Sequence, residues 1–278
     1  MAKIDIYRIA EALQEAAEAE ILPRYQRLEA ASIQEKMDAT DLVTEADTAA
    51  EMMLKQLFEN ILPGALFVGE ESVARDPGLL RGLVDADLAV VVDPVDGTAN
   101  FVAGMPLFGV MAAITMRGKS VAGVIYDPVG KDWMIAEKGS GALYRKTGAE
   151  DRRLSTAAPV PLAEMIGLVS TDFLPVESKA AILAKLARPR MFASHRCAAH
   201  MYRAFAAGHA HFLMLDRLTP WDHLAGSLIA QEAGAYLACF DGSPYDASKR
   251  EGCLLATTDP DSWVVLMRQV FEGRTAAL

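Results

Sequence analysis

An uninterrupted apolar run, Leu88-Ala89-Val90-Val91-Val92, passes directly into Asp93-Pro94-Val95-Asp96-Gly97-Thr98. Five apolar residues, three of them β-branched, read as a strand buried on both faces, which commits the chain to a sheet covered on each side. Asp93 then stands where that strand leaves the core, with a second carboxylate three residues on. Pro94 fixes one backbone angle and Gly97 permits a sharp turn, so the two carboxylates can converge on one point. Backbone N–H groups where Thr98 opens the next segment would suit a phosphate. Asp-Pro and Asp-Gly are also ordinary turn dipeptides, so on these residues alone a plain turn and a cation site both stand.

The flanking chain divides into two patterns. Apolar residues Ile9, Leu13, Ala16, Ala17 and Ile21 recur at three- and four-residue steps and predict an amphipathic helix from Ile4 to about Leu28. A polar segment through Lys36 leads to Asp41-Leu42-Val43-Thr44-Glu45-Ala46-Asp47, where Thr44 and Asp47 have capping-box spacing ahead of a helix from Thr48 to Leu62. Ala65 to Val68 reads as a short strand running into Gly69-Glu70-Glu71-Ser72, and residues 72 to 87 as an irregular excursion. Leu107 to Met116, Val121 to Tyr126 and Trp133 to Ala136 suggest an antiparallel meander. After a polar, small-residue stretch, the pattern alternates: strand 166–170, helix 176–187, strand 191–194, helix 198–207, strand 211–215, and a helix from Trp221 to about Ala233. These readings predict a mixed α+β and α/β chain with an N-terminal half, 1–150, and a C-terminal half, 151–278.

Charge and cysteine content narrow the function. The 278 residues carry a formal net charge of −10, which argues against a general affinity for nucleic acid or anionic membranes, so a phosphorylated ligand would need local cations or metal. The N-terminal 25 residues mix charges every few positions and read as neither signal peptide nor membrane span, and a cytoplasmic location is expected. Three widely spaced cysteines, Cys197, Cys239 and Cys253, fit reduced thiols better than a disulfide framework or a zinc cluster. His209 and His211 form an alternating pair that reads as structural rather than metal-binding. Asp222, in the first turn of its helix, complements the helix dipole whether or not it does anything else.

Four segments, DLVTEAD (Asp41 to Asp47), GEES (Gly69 to Ser72), DPVDGTANF (Asp93 to Phe101) and WDHLAGSLIAQEAG (Trp221 to Gly234), together resemble the inositol monophosphatase family in order, spacing and nearly every motif residue. The resemblance covers almost the whole chain. It implies a layered α/β/α/β/α sandwich with an antiparallel sheet from the N-terminal half and a mixed sheet from the C-terminal half. It also implies a homodimer, lithium sensitivity, and two or three Mg²⁺ per site held by Glu70, Asp93, the Val95 carbonyl, Asp96 and Asp222, with Asp93 bridging. Hard oxygen donors of this kind suit Mg²⁺. By the same resemblance, Thr98 and Asp47 form a hydrogen-bonded pair that helps deprotonate the attacking water, with Glu70 assisting through metal. Substrate would meet the amides of Gly97 and Thr98 together with Arg196, Ala198 and Asp222.

The implied reaction is hydrolysis of a phosphate monoester of a small metabolite, without a covalent protein intermediate. Inositol 1-phosphate is the family's type substrate, and fructose 1,6-bisphosphate and 3′-phosphoadenosine 5′-phosphate are alternatives. Two departures bear on that choice. Leu215 stands where family members acting on inositol phosphates carry a glutamate, and Arg196-Cys197-Ala198-Ala199 replaces the usual Gly-Ser/Thr-Ala-Ala. His195, Arg196 and Arg217 become candidates for a second anionic group of the substrate. A non-catalytic interaction protein is a competing reading, although a binding module has no reason to maintain four mutually repelling carboxylates. The chain has neither G-x-G-x-x-G nor G-x-x-x-x-G-K, so dinucleotide-binding and P-loop readings lack their motifs.

Overall fold

The computed structural model describes residues 4–27, 33–35 and 42–271. Leu28, Lys36 and Asp41, each invoked above, lie outside the described residues. Helix α1 (Ile6–Ala16) starts at Asp5, whose carboxylate accepts the N–H groups of Tyr7 and Arg8, and it continues through a π-helical turn, Ala17–Ile21. Strands β1 (Ile33–Glu35) and β2 (Leu42–Thr44) pair antiparallel and lead into α2 (Glu45–Ile61). That helix begins three residues earlier than expected, because Thr44 caps it by accepting the Ala46 N–H.

Strand β3 (Leu66–Gly69) is followed by α3 (Glu70–Arg75) and α4 (Leu79–Asp85) before β4 (Ala89–Asp96). Residues 72 to 87 are thus largely helical rather than irregular. Leu83, fully buried, anchors α4 beside β3, and tertiary burial outweighs the turn signals of Pro77 and Gly78. After α5 (Thr98–Val102) come β5 (Gly109–Met116), β6 (Lys119–Asp127), β7 (Asp132–Glu137), β8 (Ala142–Lys146) and β9 (Arg152–Arg153). They form one seven-stranded sheet in the order β3-β4-β5-β6-β7-β8-β9. This sheet is antiparallel except at β3–β4, which pair parallel because the helical crossover α3–α4 returns the chain in the same direction. The expectation of a purely antiparallel sheet is corrected there.

The second sheet takes β10 (Ile166–Val169), β11 (Met191–Ala193), β12 (Phe212–Leu215), β13 (Tyr236–Cys239) and β14 (Leu254–Thr257) in the mixed order β11-β10-β12-β14-β13. Helices α6 (Val176–Lys185), α7 (Ala198–Ala206), α8 (Pro220–Glu232) and α9 (Pro260–Leu266) complete the chain. Side-chain alternation along the strands assigns the layers. Val90 and Val92 of β4, with Val110, Ala112 and Ile114 of β5, pack against α1 and α2. Val91, Met111, Ala113 and Ile125 point the other way, onto α7 and α8, whose far side meets Leu213, Leu215, Leu254 and Ala256 of the second sheet. Phe212, Met214 and Leu255 on its outer face are covered by α6, α9 and the π-helical turn Met267–Phe271. The result is an α/β/α/β/α sandwich.

Two glycines set the spacing of the central layer. A Cβ at Gly123 would lie 2.8 Å from the carbonyl of Ala225, so α8 can settle on β6 only because that side chain is missing. A Cβ at Gly226 would enter the Tyr202 ring, which lets α7 and α8 approach closely. The first turn of α8, with Asp222, is thereby lowered toward the end of β4.

Candidate active site

In a regular strand Asp93 and Asp96 would point to opposite faces, since they are three residues apart. The ladder between β4 and β5 slips between them: Asp93 pairs with Met111 and Asp96 with Gly109, so one extra residue sits on β4. The slip falls at Pro94, which has no N–H to give to a ladder. It turns both carboxylates to the same side. There they meet Asp222 from the start of α8, and one donor atom from each of the three lies within 4.8 Å of the others. Burial of Val90, Val91 and Val92, each at most 1% exposed and each contributing about 1.5–3 kcal/mol, anchors the strand that carries two of these charges.

The Asp96 carboxylate is oriented by the N-terminus of α7. Oδ1 accepts the Ala198 N–H at 3.2 Å, while Oδ2 accepts the Ala199 N–H at 2.5 Å and the Cys197 thiol at 2.9 Å. Cys197 therefore fills the donor role that a serine or threonine hydroxyl would otherwise fill. Asn100 ties the two segments together, donating to the carbonyls of Leu107 at 2.9 Å and His195 at 2.7 Å. Gly97, at φ +86°, makes the turn between β4 and α5, and a Cβ there would lie 2.9 Å from the Leu107 carbonyl. Asp93 Oδ1 accepts the Val95 N–H at 3.0 Å, and Thr219 donates to Asp222 Oδ2.

On the opposite wall, α2 presents Asp47. Its Oδ2 accepts both the backbone N–H (2.9 Å) and the hydroxyl (2.6 Å) of Thr44, while Oδ1 accepts the Thr98 hydroxyl at 3.1 Å. The capping and catalytic readings of Asp47 are not alternatives, because each takes a different oxygen. Thr98 Oγ1 also lies 2.9 Å from the Val95 carbonyl. One helical turn beyond Asp47, Glu51 is 2% exposed and accepts from the Glu71 N–H, the Ser72 hydroxyl and Arg75.

Burial, then the charges of Glu70, Asp222 and Asp96, push the Asp93 carboxyl well above the usual carboxylate range. Asp96 is raised to about 7 by burial and Asp222, against the lowering effect of its bonds from Cys197, Ala199 and Ala198. Burial lowers the pKa of His223, whose Nε2 donates to the Arg217 carbonyl at 2.5 Å. Two buried carboxylates and the half-buried Asp222, converging, repelling one another and offering only oxygen donors, fit a hard divalent cation such as Mg²⁺.

The sequence profile of the inositol monophosphatase family matches residues 3–269. The chain belongs to the inositol monophosphatase family. It is 35% identical over 233 residues to the inositol-1-monophosphatase of Caulobacter vibrioides, covering 81% of this chain and 86% of that one. It is 26% identical to the fructose-1,6-bisphosphatase/inositol-1-monophosphatase of Thermotoga maritima, covering 87% and 88%. The crystal structure of the extragenic suppressor protein SuhB from Bartonella henselae superposes with a TM-score of 0.80 at 26% identity, covering 96% of this chain and 98% of that one.

Within this family fold, the acids open into a cleft of about 460 Å³. Glu70, Asp93, Val95, Asp96, Gly97, Thr98, Arg196, Ala198 and Asp222 all line it. Asp47 does not line it but bonds Thr98, which does, and Glu70 lies outside the tight group of three carboxylates while facing the same space. Arg196, exposed and in the left-handed region at φ +51°, makes no ion pair among the described residues. Arg217 stacks 4.8 Å from the centroid of the Phe173 ring, whereas His195 does not line the cleft. His211 accepts the Ile166 N–H through Nδ1, a structural role.

Sequence reasoning missed several lining groups, among them Phe173, Ser170, Asp216 and Met201. They sit on loops and on α7, and their convergence depends on which strands neighbour one another in the second sheet. Glu51 was missed as well, although its place one helical turn from Asp47, on the same face of α2, was a signal that could have found it.

Proposed function

We propose that this chain is a Mg²⁺-dependent phosphatase that hydrolyses a phosphate monoester of a small metabolite. The observation that carries the reading is the convergence of Asp93, Asp96 and Asp222 in one cleft with the Asp47–Thr98 pair. Asp93, Asp96, Asp222, Glu70 and the Val95 carbonyl would hold the metal. Bound there, Mg²⁺ supplies a Lewis acid that acidifies a water and neutralises charge on the phosphate and its leaving oxygen. The Thr98 proton is directed at Asp47 Oδ1 or the Val95 carbonyl, so its oxygen stays an acceptor for a proton of the attacking water. Asp47, held in place by Thr44, takes up that proton through Thr98. Residues 97–99 and Ala198 flank the space that the phosphate would fill.

The alcohol side of the cleft departs from a polyol site. Leu215, Met201 and Phe173 present apolar surface, and no carboxylate from position 215 accepts hydrogen bonds from ring hydroxyls. Arg196 and Arg217 face the same space and suit a substrate with a second anionic group. Phosphate release from inositol 1-phosphate, fructose 1,6-bisphosphate and 3′-phosphoadenosine 5′-phosphate at one Mg²⁺ concentration tests this. A higher kcat/KM for a bisphosphate, with Arg196→Ala raising its KM, is expected. Clear preference for inositol 1-phosphate with Arg196→Ala silent would contradict the substrate reading alone, and inactivity on every ester would contradict the phosphatase reading.

A further inference from the structure

We infer that Glu51 is a positioning residue for Glu70, fixing the start of α3 and thereby the place from which the Glu70 carboxylate enters the cleft. The inference rests on the reading that Glu70 helps to hold Mg²⁺. Helix α3 begins at Glu70, and its N-terminal N–H groups need acceptors from elsewhere because the capping residue, Gly69, has no side chain. Glu51 reaches across from α2 to supply one for Glu71 and to bind two side chains of the same helix. Its Oε2 accepts the Glu71 N–H at 2.7 Å, and its Oε1 accepts the Ser72 hydroxyl at 2.6 Å and Arg75 Nη2 at 3.2 Å. These three partners follow Glu70 on α3, two of them immediately.

The fit leaves no slack. A Cβ at Gly69 would stand 2.2 Å from Glu51 Oε2, so the carboxylate lies directly against the backbone of the residue before Glu70. Glu51 is 2% exposed and does not line the cleft, so it touches neither substrate nor metal. Spacing on α2 gives the contact its consequence. Asp47 and Glu51 lie one turn apart on one helical face, the first bonded to Thr98 and the second to the segment behind Glu70. One rigid helix therefore sets the distance between the proton-accepting pair and the Glu70 donor. An apolar residue at position 51 would fill the space but remove the acceptor that Glu51 gives the Glu71 N–H.

The test reads metal affinity from stability as well as from turnover. Melting temperature is measured against Mg²⁺ concentration for the wild type, Glu51→Gln and Ser72→Ala. Glu51→Gln keeps the volume and one acceptor oxygen but loses the second acceptor and the charge. It is expected to raise the Mg²⁺ concentration for half-maximal stabilisation about tenfold, in the range seen when groups orienting a metal ligand are altered. Ser72→Ala should move it in the same direction by less. Turnover of Glu51→Gln should recover as Mg²⁺ is raised, with KM for the phosphate ester nearly unchanged.

A merely structural Glu51 would lower the metal-free melting temperature and leave the Mg²⁺ half-point within twofold of wild type. That result in both variants would overturn the inference, and if Glu51→Gln does not fold, Ser72→Ala decides. A wild type with no Mg²⁺ response would overturn the metal reading and this inference together. A responsive wild type matched by its variants would overturn this inference only.

Discussion

The two oxygens of Asp47 face different partners, and their consequences can be separated. Oδ2 holds the Thr44 end of α2, while Oδ1 accepts from Thr98. Asp47→Asn is expected to lower kcat by roughly 10²–10⁴-fold, the range for losing general-base assistance, and to cost about 1 kcal/mol of stability for the weakened cap. Thr44→Ala should show the stability loss with less than about a tenfold fall in kcat. Steady-state kinetics and thermal melts on the two variants check this, and equal kcat losses would mean that Thr98 does not depend on Oδ1. At Gly97 the backbone itself is the constraint. Gly97→Ala is expected to cost about 1–3 kcal/mol in chemical denaturation, because an L side chain disfavours φ +86° and would press on the Leu107 carbonyl.

Elements deliver these residues to one place. The extra residue in β4 aligns Asp93 with Asp96, the start of α7 fixes Asp96, and the descent of α8 onto β6 brings in Asp222. Gly123→Val should wedge α8 away from β6 and raise the Mg²⁺ half-point for stabilisation together with the expected loss of melting temperature, since Asp222 rides on that helix. A melting loss with an unchanged half-point would place Asp222 outside the metal site. Much of this was legible in sequence. The buried run 88–92, the helix periodicities, the meander and the acids themselves are local signals, and the motif resemblance joined them. The bulge was hidden, because Pro94 permits a ladder slip without requiring one. The helices at 70–85 were hidden by Pro77 and Gly78, and the lining role of Phe173 by a loop path that only the packed second sheet determines. Asp47 read first as a cap and then, through the motif resemblance, as a catalytic group in place of a cap; the cap is formed all the same, because its two oxygens diverge in a way sequence could not show.

For the whole molecule, the buried acids make metal-free stability depend on pH. Asp93 and Asp96 bind protons more tightly when folded than when unfolded, Asp96 with a folded value of about 7 against an ordinary 3.8. A raised carboxylate contributes stability that is complete below its unfolded value and disappears as pH rises through its folded value. The metal-free protein should therefore lose melting temperature between about pH 4 and 7 from this cluster. Mg²⁺ held by these carboxylates, as proposed, would displace the protons, so its stabilising effect should be larger at pH 8 than at pH 5, with proton release on binding measurable in buffers of different ionisation enthalpy. An Mg²⁺ effect independent of pH would mean that the carboxylates are not its ligands. One continuous apolar core runs from the seven-stranded sheet through α7 and α8 into the five-stranded sheet, so the strand carrying Asp93 and the helix carrying Asp222 share one packed interior.

As proposed, the cleft performs metal-dependent phosphate ester hydrolysis. Phosphate release by the metal-stripped protein, with and without added Mg²⁺, measures it most directly, with Asp93→Asn as the matched variant. Activity should be absent after exhaustive chelation, return with Mg²⁺, and stay nearly absent in Asp93→Asn at every Mg²⁺ concentration. Undiminished phosphate release after chelation, or wild-type turnover in Asp93→Asn, would contradict it.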